Sequence, residues 1–261
     1  MTLQGQGAQN DIFYAKLRDM MLRAERGMCS CSHFLSPREA RLSCEYVKGA
    51  GADVAYLLEG GYPDAERVKL FLLPAFLNEP EYTAPLLAEE ICLLRISGGG
   101  FCTLTHRDYL GALLALGIER HVLGDVCVLD ASHALVVCDA DIAPYVCTEL
   151  SRVGKDGVKV EVLPFGTEIV LPERYRSVSD TVASARFDCV AAALAGLSRE
   201  KAQMLIRAGE CTVDYEACDK CDKVIDPPCV ISLRGHGKFR VDDLGTQTKK
   251  GRLRLLARKY I

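Results

Sequence analysis

Several common signatures are missing from this chain, and each absence narrows its chemistry. No apolar run reaches transmembrane length, and the N-terminus has no basic stretch leading into an apolar one. Neither a spanning helix nor a secretory leader is expected, so the chain reads as cytoplasmic with no membrane partner. There is no P-loop, no Gly-x-Gly-x-x-Gly fingerprint and no His-x-x-x-His pair. No Ser/His/Asp or Cys/His set stands out as a catalytic constellation. Internal repeats and low-complexity segments are also absent. The expectation is no cofactor, no metal and no catalytic residue, although sites assembled in space leave no such trace.

What is present begins with length and charge. The chain has 261 residues and 49% hydrophobic content, enough for one large domain or two to three small ones. The formal net charge of -3 hides a division. Residues 1–175 hold 16 Lys and Arg against 24 Asp and Glu, and residues 176–261 hold 16 against 11. A basic C-terminal module on an acidic body points to a local polyanionic partner.

The 13 cysteines are many and odd in number. Without a leader they read as reduced thiols rather than a disulfide framework. Cys92, Cys102, Cys127, Cys138 and Cys147 sit inside apolar runs, where Cys acts as a small hydrophobe. Cys218 and Cys221 have metal-like spacing, with Cys211 and Cys229 flanking. The outer two fall in strands and Cys211 faces a core by alternation, so ordinary thiols are expected.

Taken in order, the chain suggests three regions: an N-terminal α+β domain (1–80), a central α+β domain (81–172) and a C-terminal domain (173–261). Residues 9–27 carry helical periodicity. Ser36, Pro37 and Glu39 form a capping box with proline at the first helical position. Ala52 to Leu58 reads as a strand, Gly60 to Pro63 as a turn, and Leu70 to Leu73 is apolar. Ile91 to Ile96 reads as a strand, and Gly98-Gly-Gly100 as a hairpin turn rather than a cofactor loop. Thr105 caps a helix that Gly117 closes. Strands follow at Asp125–Leu129 and Ala134–Val137, a helix at 142–150 and a strand at Val158–Leu163. Pro172-Glu173-Arg174 is the connector. Such mixing implies an α+β fold.

The C-terminal region organises the rest. Ser184 is expected to cap a helix from Ala185 to about Leu194, and Ser198 one running to about Ala208. Gly209 suits the left-handed end of the second helix. Ala202, Leu205 and Ile206 form one apolar stripe, with Arg199, Lys201, Gln203 and Arg207 off it. Cys211-Thr-Val213 alternates like a strand.

Arg186-Phe187-Asp188, Leu197-Ser198-Arg199, Ile206-Arg207-Ala208-Gly209, Val213-Asp214 and Ile231-Ser-Leu-Arg-Gly235 together resemble the S4 RNA-binding domain. Asp214 stands where that family usually has Asn, and Pro228-Cys229 where it usually has Gly-Asp. Phe34-Leu-Ser-Pro-Arg-Glu39, Gly61-Tyr62, Ala65-Glu-Arg67, Thr105 to Gly111, Leu116 to Arg120 and Gly124-Asp-Val126 extend the resemblance to the bacterial YlmH family. The tail from Thr248 to Tyr260 is similar too.

The resemblance implies a small N-terminal α/β region, a central RNA-binding-like domain and a C-terminal S4-like (αL) domain. It also implies a non-enzymatic factor that binds rRNA or tRNA on the large ribosomal subunit in translation quality control. No DNA partner is expected. The RNA-binding set is Arg186, Ser198, Arg199, Lys201, Gln203, Arg207 and Lys238, with His106 and Arg107 as a further contact. The last two fit a phosphate contact at a helix start or a plain solvated helix start equally. The competing class is an RNA-modifying enzyme, a pseudouridine synthase or rRNA methyltransferase that uses the S4-like module as its grip. Such enzymes mostly carry that module at the N-terminus.

Overall fold

In a computed structural model, which describes residues 3–51, 53–77, 79–169, 171, 175–248 and 251–260, the capping box at Ser36 forms. Glu39 N–H donates to Ser36 Oγ at 3.4 Å, and Ser36 N–H donates back to Glu39 Oε2 at 2.8 Å. The Pro172-Glu173-Arg174 connector lies outside the described residues, as do Ala52, Lys249 and Lys250. Contacts divide the chain into two compact units, Met1–Leu171 and Pro172–Ile261. Among the described residues no helix is long and apolar enough to cross a membrane.

The first unit begins with α1 (Leu3–Glu25), β1 (Ser30–Cys31), α2 (Pro37–Ala50), β2 (Val54–Glu59) and β3 (Lys69–Pro74). The three strands pair antiparallel in the order β1-β3-β2. β3 is buried along its whole length, which explains its unbroken apolar run. Leu70 and Leu72 pack against Leu17 and Met21 of α1 and Val47 of α2, while Phe71 belongs to another core.

That second core joins the residues before 80 to those after. α3 (Pro80–Glu90), β4 (Ile91–Gly98), α4 (His106–Ala115), β5 (Leu123–Val128), β6 (His133–Asp139), α5 (Ala143–Glu149), β7 (Arg152–Val153) and β8 (Asp156–Leu163) follow. From β4 onward this is a β-α-β-β-α-β arrangement, and the sheet order is β5-β6-β4-β8-β7. One face carries α4 and α5, with Leu94, Ile96, Tyr109, Leu113, Val136 and Val146 in the core between. The other face, with Ile91, Leu93, Leu135 and Val137, packs against Phe34, Tyr62 and Phe71. Side chains of Leu, Ile, Val and Phe buried to this degree each contribute about 1.5–3 kcal/mol.

In the first unit, the Gly98-Gly-Gly100 segment and the helix read from 142 differ from expectation. Gly98-Gly-Gly100 is not a hairpin turn: Gly98 ends β4, and the loop beyond it leads into α4. The helix read from 142 begins with a 3-10 turn, Ala140–Ile142, and α5 proper starts at Ala143.

The second unit contains β9 (Tyr175–Val182), α6 (Phe187–Ala195), α7 (Arg199–Arg207), β10 (Cys211–Val213), β11 (Glu216–Ala217), β12 (Cys229–Leu233), β13 (Gly237–Gln247) and β14 (Leu253–Tyr260). The strands form one sheet in the order β11-β10-β12-β13-β14-β9. Phe187, Val190, Ala202 and Ile206 of the helices meet Ile231, Leu233, Phe239, Val241 and Leu255 of the sheet. Ser184 does not cap α6. The N-cap is Arg186, and the Ser184 hydroxyl lies against Cys189 Sγ. Two free N–H groups of the first turn find carbonyls instead: Phe187 donates to Lys223 and Asp188 to Cys221. Ser198 caps α7 as expected, and Gly209 has φ 71°. Asp214 and Tyr215 both have positive φ, 48° and 67°, as a two-residue hairpin turn between β10 and β11 requires.

Candidate nucleic-acid interface

The helical pair of the second unit is organised by one buried carboxylate. Asp188 has a fully buried side chain in the first turn of α6. The turn between the helices brings the start of α7 back beside it. Arg186 donates from Nε to Asp188 Oδ1 at 3.2 Å and from Nη2 to Oδ2 at 3.3 Å. Arg199 donates from Nε to Oδ2 at 3.0 Å, and Gln203 from Nε2 to the same oxygen at 2.6 Å. Burial alone raises the Asp188 pKa. The donors from Arg186, Gln203 and Arg199 outweigh it and hold the carboxyl well below the usual range. The hydrogen bond to Asp188 raises Arg186 in turn.

The result is two oriented guanidiniums around one negative charge. Their side chains remain 42% and 53% exposed, so each keeps donors for an outside anion. Asp188 is one of the residues that carry the S4 resemblance, but no local signal marks this role. Two of its partners, Arg199 and Gln203, lie 11 and 15 residues away, and only the helix turn joins them to it.

Around α7, Arg199, Gln203 and Arg207 lie at i, i+4 and i+8 and share one flank. Lys201 sits about 200° around the helix from Arg199, so it does not join that flank. The Ser198 hydroxyl accepts from Lys201 N–H at 3.3 Å and is committed to capping. Lys238 is not with the helices. It lies on β13 beside Phe239, which points the other way into the helix-covered core, and its Nζ sits over the Tyr260 and Tyr215 rings. His106 and Arg107 belong to the first unit and are exposed at the start of α4. The Asp108 carboxylate there accepts from Thr105 N–H at 2.8 Å, so this helix start already carries an anion of its own.

Most of the other quoted motifs of the first unit converge on a structural hub. Asp125 accepts from the Tyr62 hydroxyl and from the N–H groups of Glu66 and Arg67. Arg67 reaches the carbonyls of Leu123 and Phe34. Arg120 donates to the carbonyls of Leu123 and Gly124, and burial with Arg67 nearby pushes its pKa down to about 10. Lys69 is buried as well, with Nζ 2.7 Å from Glu90 and 3.1 Å from Asp139. These groups are spent on holding β3, α3 and the central sheet together. Among the described residues no group of three or more His, Cys, Asp or Glu side chains could hold a metal ion.

Three similarities to known proteins bear on this arrangement. A family model described as the putative RNA-binding domain in YlmH matches residues 90–167, the span of the β-α-β-β-α-β segment. The Bacillus subtilis (strain 168) protein named ribosome-associated protein quality control protein P2 is 30% identical over 222 residues. The match covers 85% of this chain and 84% of that relative. Among solved structures, the cell division protein ylmH from Streptococcus pneumoniae is similar with a TM-score of 0.50 and 21% identity, over 65% of this chain and 97% of that one. At that identity the likeness speaks for the fold.

Proposed function

The chain belongs to the YlmH family, and on that premise we propose that it is a non-enzymatic, cytoplasmic factor that binds structured rRNA or tRNA on the large ribosomal subunit in translation quality control. Residues 173–261 act as its S4-like RNA-binding module. The observation that carries this reading is the Arg186 and Arg199 pair oriented by buried Asp188. Preoriented guanidiniums bind phosphates at a smaller entropic cost than free side chains do. Gln203 completes this group, and Arg207 extends the flank.

The acidic balance of residues 1–175 opposes a polyanion, so the basic module supplies most of the electrostatic affinity. His106 and Arg107 add a weaker second contact, and two contacts on one particle raise apparent affinity through effective concentration. The central sheet does not offer bases a stacking platform, because Phe34, Tyr62 and Phe71 cover its second face.

The test is co-sedimentation of the full chain with purified large subunits. The parent chain is expected to bind at low salt and be released at high salt. Arg199→Glu with Arg207→Glu is expected to lose most of the binding. Full occupancy by that double variant would reject the interface.

A further inference from the structure

The sheet of the C-terminal unit has two unlike faces. Ile231, Leu233, Phe239 and Val241 point into the core beneath α6 and α7. Their neighbours along each strand project the opposite way. Register then aligns Arg240 with Arg258, and Tyr260 with Tyr175. On this second face cations and rings form a continuous row. Lys238 Nζ lies 5.1 Å from the Tyr215 ring centroid and 4.3 Å from that of Tyr260. Tyr260 and Tyr175 meet edge to face at 4.8 Å, and the Arg258 guanidinium lies 5.1 Å from the Tyr175 ring. Asp242 holds Arg258 through two bonds of 2.9 and 2.8 Å and lies 3.5 Å from Arg240. All of these side chains are half-buried, so they are fixed in place yet open on one side.

We propose that this face binds an unpaired RNA segment, with bases stacked on Tyr260 and Tyr175 and phosphates held by Lys238, Arg240 and Arg258. The inference rests on the RNA-binding reading above and adds a second ligand class to it, single-stranded rather than folded RNA. The cations of the row are complementary to a phosphate chain. An acidic peptide would satisfy those cations and leave the rings idle. A nucleotide chain brings a flat base and a phosphate at every repeat, which matches rings interleaved with cations. The two faces of one module would then hold a helix and its single-stranded flank together.

The experiment uses the full chain, a fluorescein-labelled eight-nucleotide uridine oligomer and a labelled RNA hairpin, read by anisotropy. Tyr260→Leu and Tyr175→Leu are each expected to weaken oligomer binding about tenfold and to leave hairpin binding within about twofold. Each variant is first shown to melt like the parent, and having two variants guards against a failure of either to fold. Arg199→Glu should do the reverse. Oligomer binding unchanged in both tyrosine variants would overturn the assignment, even with hairpin binding intact. So would a poly-glutamate peptide of equal charge that displaces the oligomer as well as unlabelled oligomer does. If the parent chain fails to bind the hairpin while its oligomer binding falls with Tyr260→Leu, the helical interface fails and the sheet face stands.

Discussion

Arg199 at the start of α7 and Asp188 in the first turn of α6 meet at 3.0 Å, the acid fully buried and the base half-exposed. A buried anion thus fixes the direction of a cation whose outer edge is still available. On the proposed reading, stability and RNA binding share this contact, and that coupling can be measured.

Asp188→Asn keeps the volume and removes the charge. It is expected to destabilise the C-terminal unit by about 2–3 kcal/mol, since hydrogen bonds to a charged partner are lost. Urea denaturation of the full chain reads the stability, and hairpin titration reads the accompanying loss of affinity. Arg199→Lys should also weaken binding, because an ammonium lacks the planar fork that meets Asp188 with one edge and points the other outward.

The same carboxylate sets an acid limit. Its native pKa is depressed, so its contribution is full above the unfolded value of about 4 and is lost as pH falls toward the native value. The urea midpoint of the C-terminal unit should therefore drop below about pH 4. In Asp188→Asn that drop should be shallower, and equal slopes would contradict this assignment.

Along α7, salt dependence separates the two flanks. Arg207→Gln is expected to reduce the slope of log affinity against log salt by about 1. Lys201→Gln, on the far flank, should leave it nearly unchanged. Equal reductions would mean that RNA wraps both sides of the helix.

In the first unit, Lys69→Met leaves the carboxylates of Glu90 and Asp139 without their shared cation. The expected cost is about 3 kcal/mol, read as a lower denaturation midpoint of that unit. Adding Glu90→Gln should recover part of it.

Gly124 approaches its neighbours too closely for a side chain. A Cβ there would lie 2.9 Å from a Phe34 ring carbon and 2.9 Å from Val137 Cβ. Gly124→Ala is expected to cost about 1–3 kcal/mol by overpacking, visible as a lower melting temperature. RNA binding by the C-terminal unit should be unaffected.

Much of this architecture was legible in the residues, and the parts that were not share a physical cause. Ser36 with Glu39, and Ser198 with the Ala202 and Ile206 stripe, announce α2 and α7 because caps and helical periodicity are local signals. The alternation of Cys211 and Val213 marks β10 in the same way. β9 gave no such signal: it lies at the sheet edge, and half of its side chains are polar and exposed. Ser184 looked like the cap of α6, yet carbonyls from Cys221 and Lys223 took that role.

By itself, the sequence determined the two helices of the basic module, the charge division between residues 1–175 and 176–261, and the identity of that module's cations. Only the tertiary structure decided which of them act together. It set Arg186, Arg199 and Gln203 around Asp188, left Lys201 on the far flank, and put Lys238 in a row with Tyr215, Tyr260 and Tyr175 on the opposite face of the sheet. Charge and periodicity are properties of short stretches. A shared anion or a row of rings depends on helix turns and strand register that bring residues distant in the chain within a few ångströms of one another.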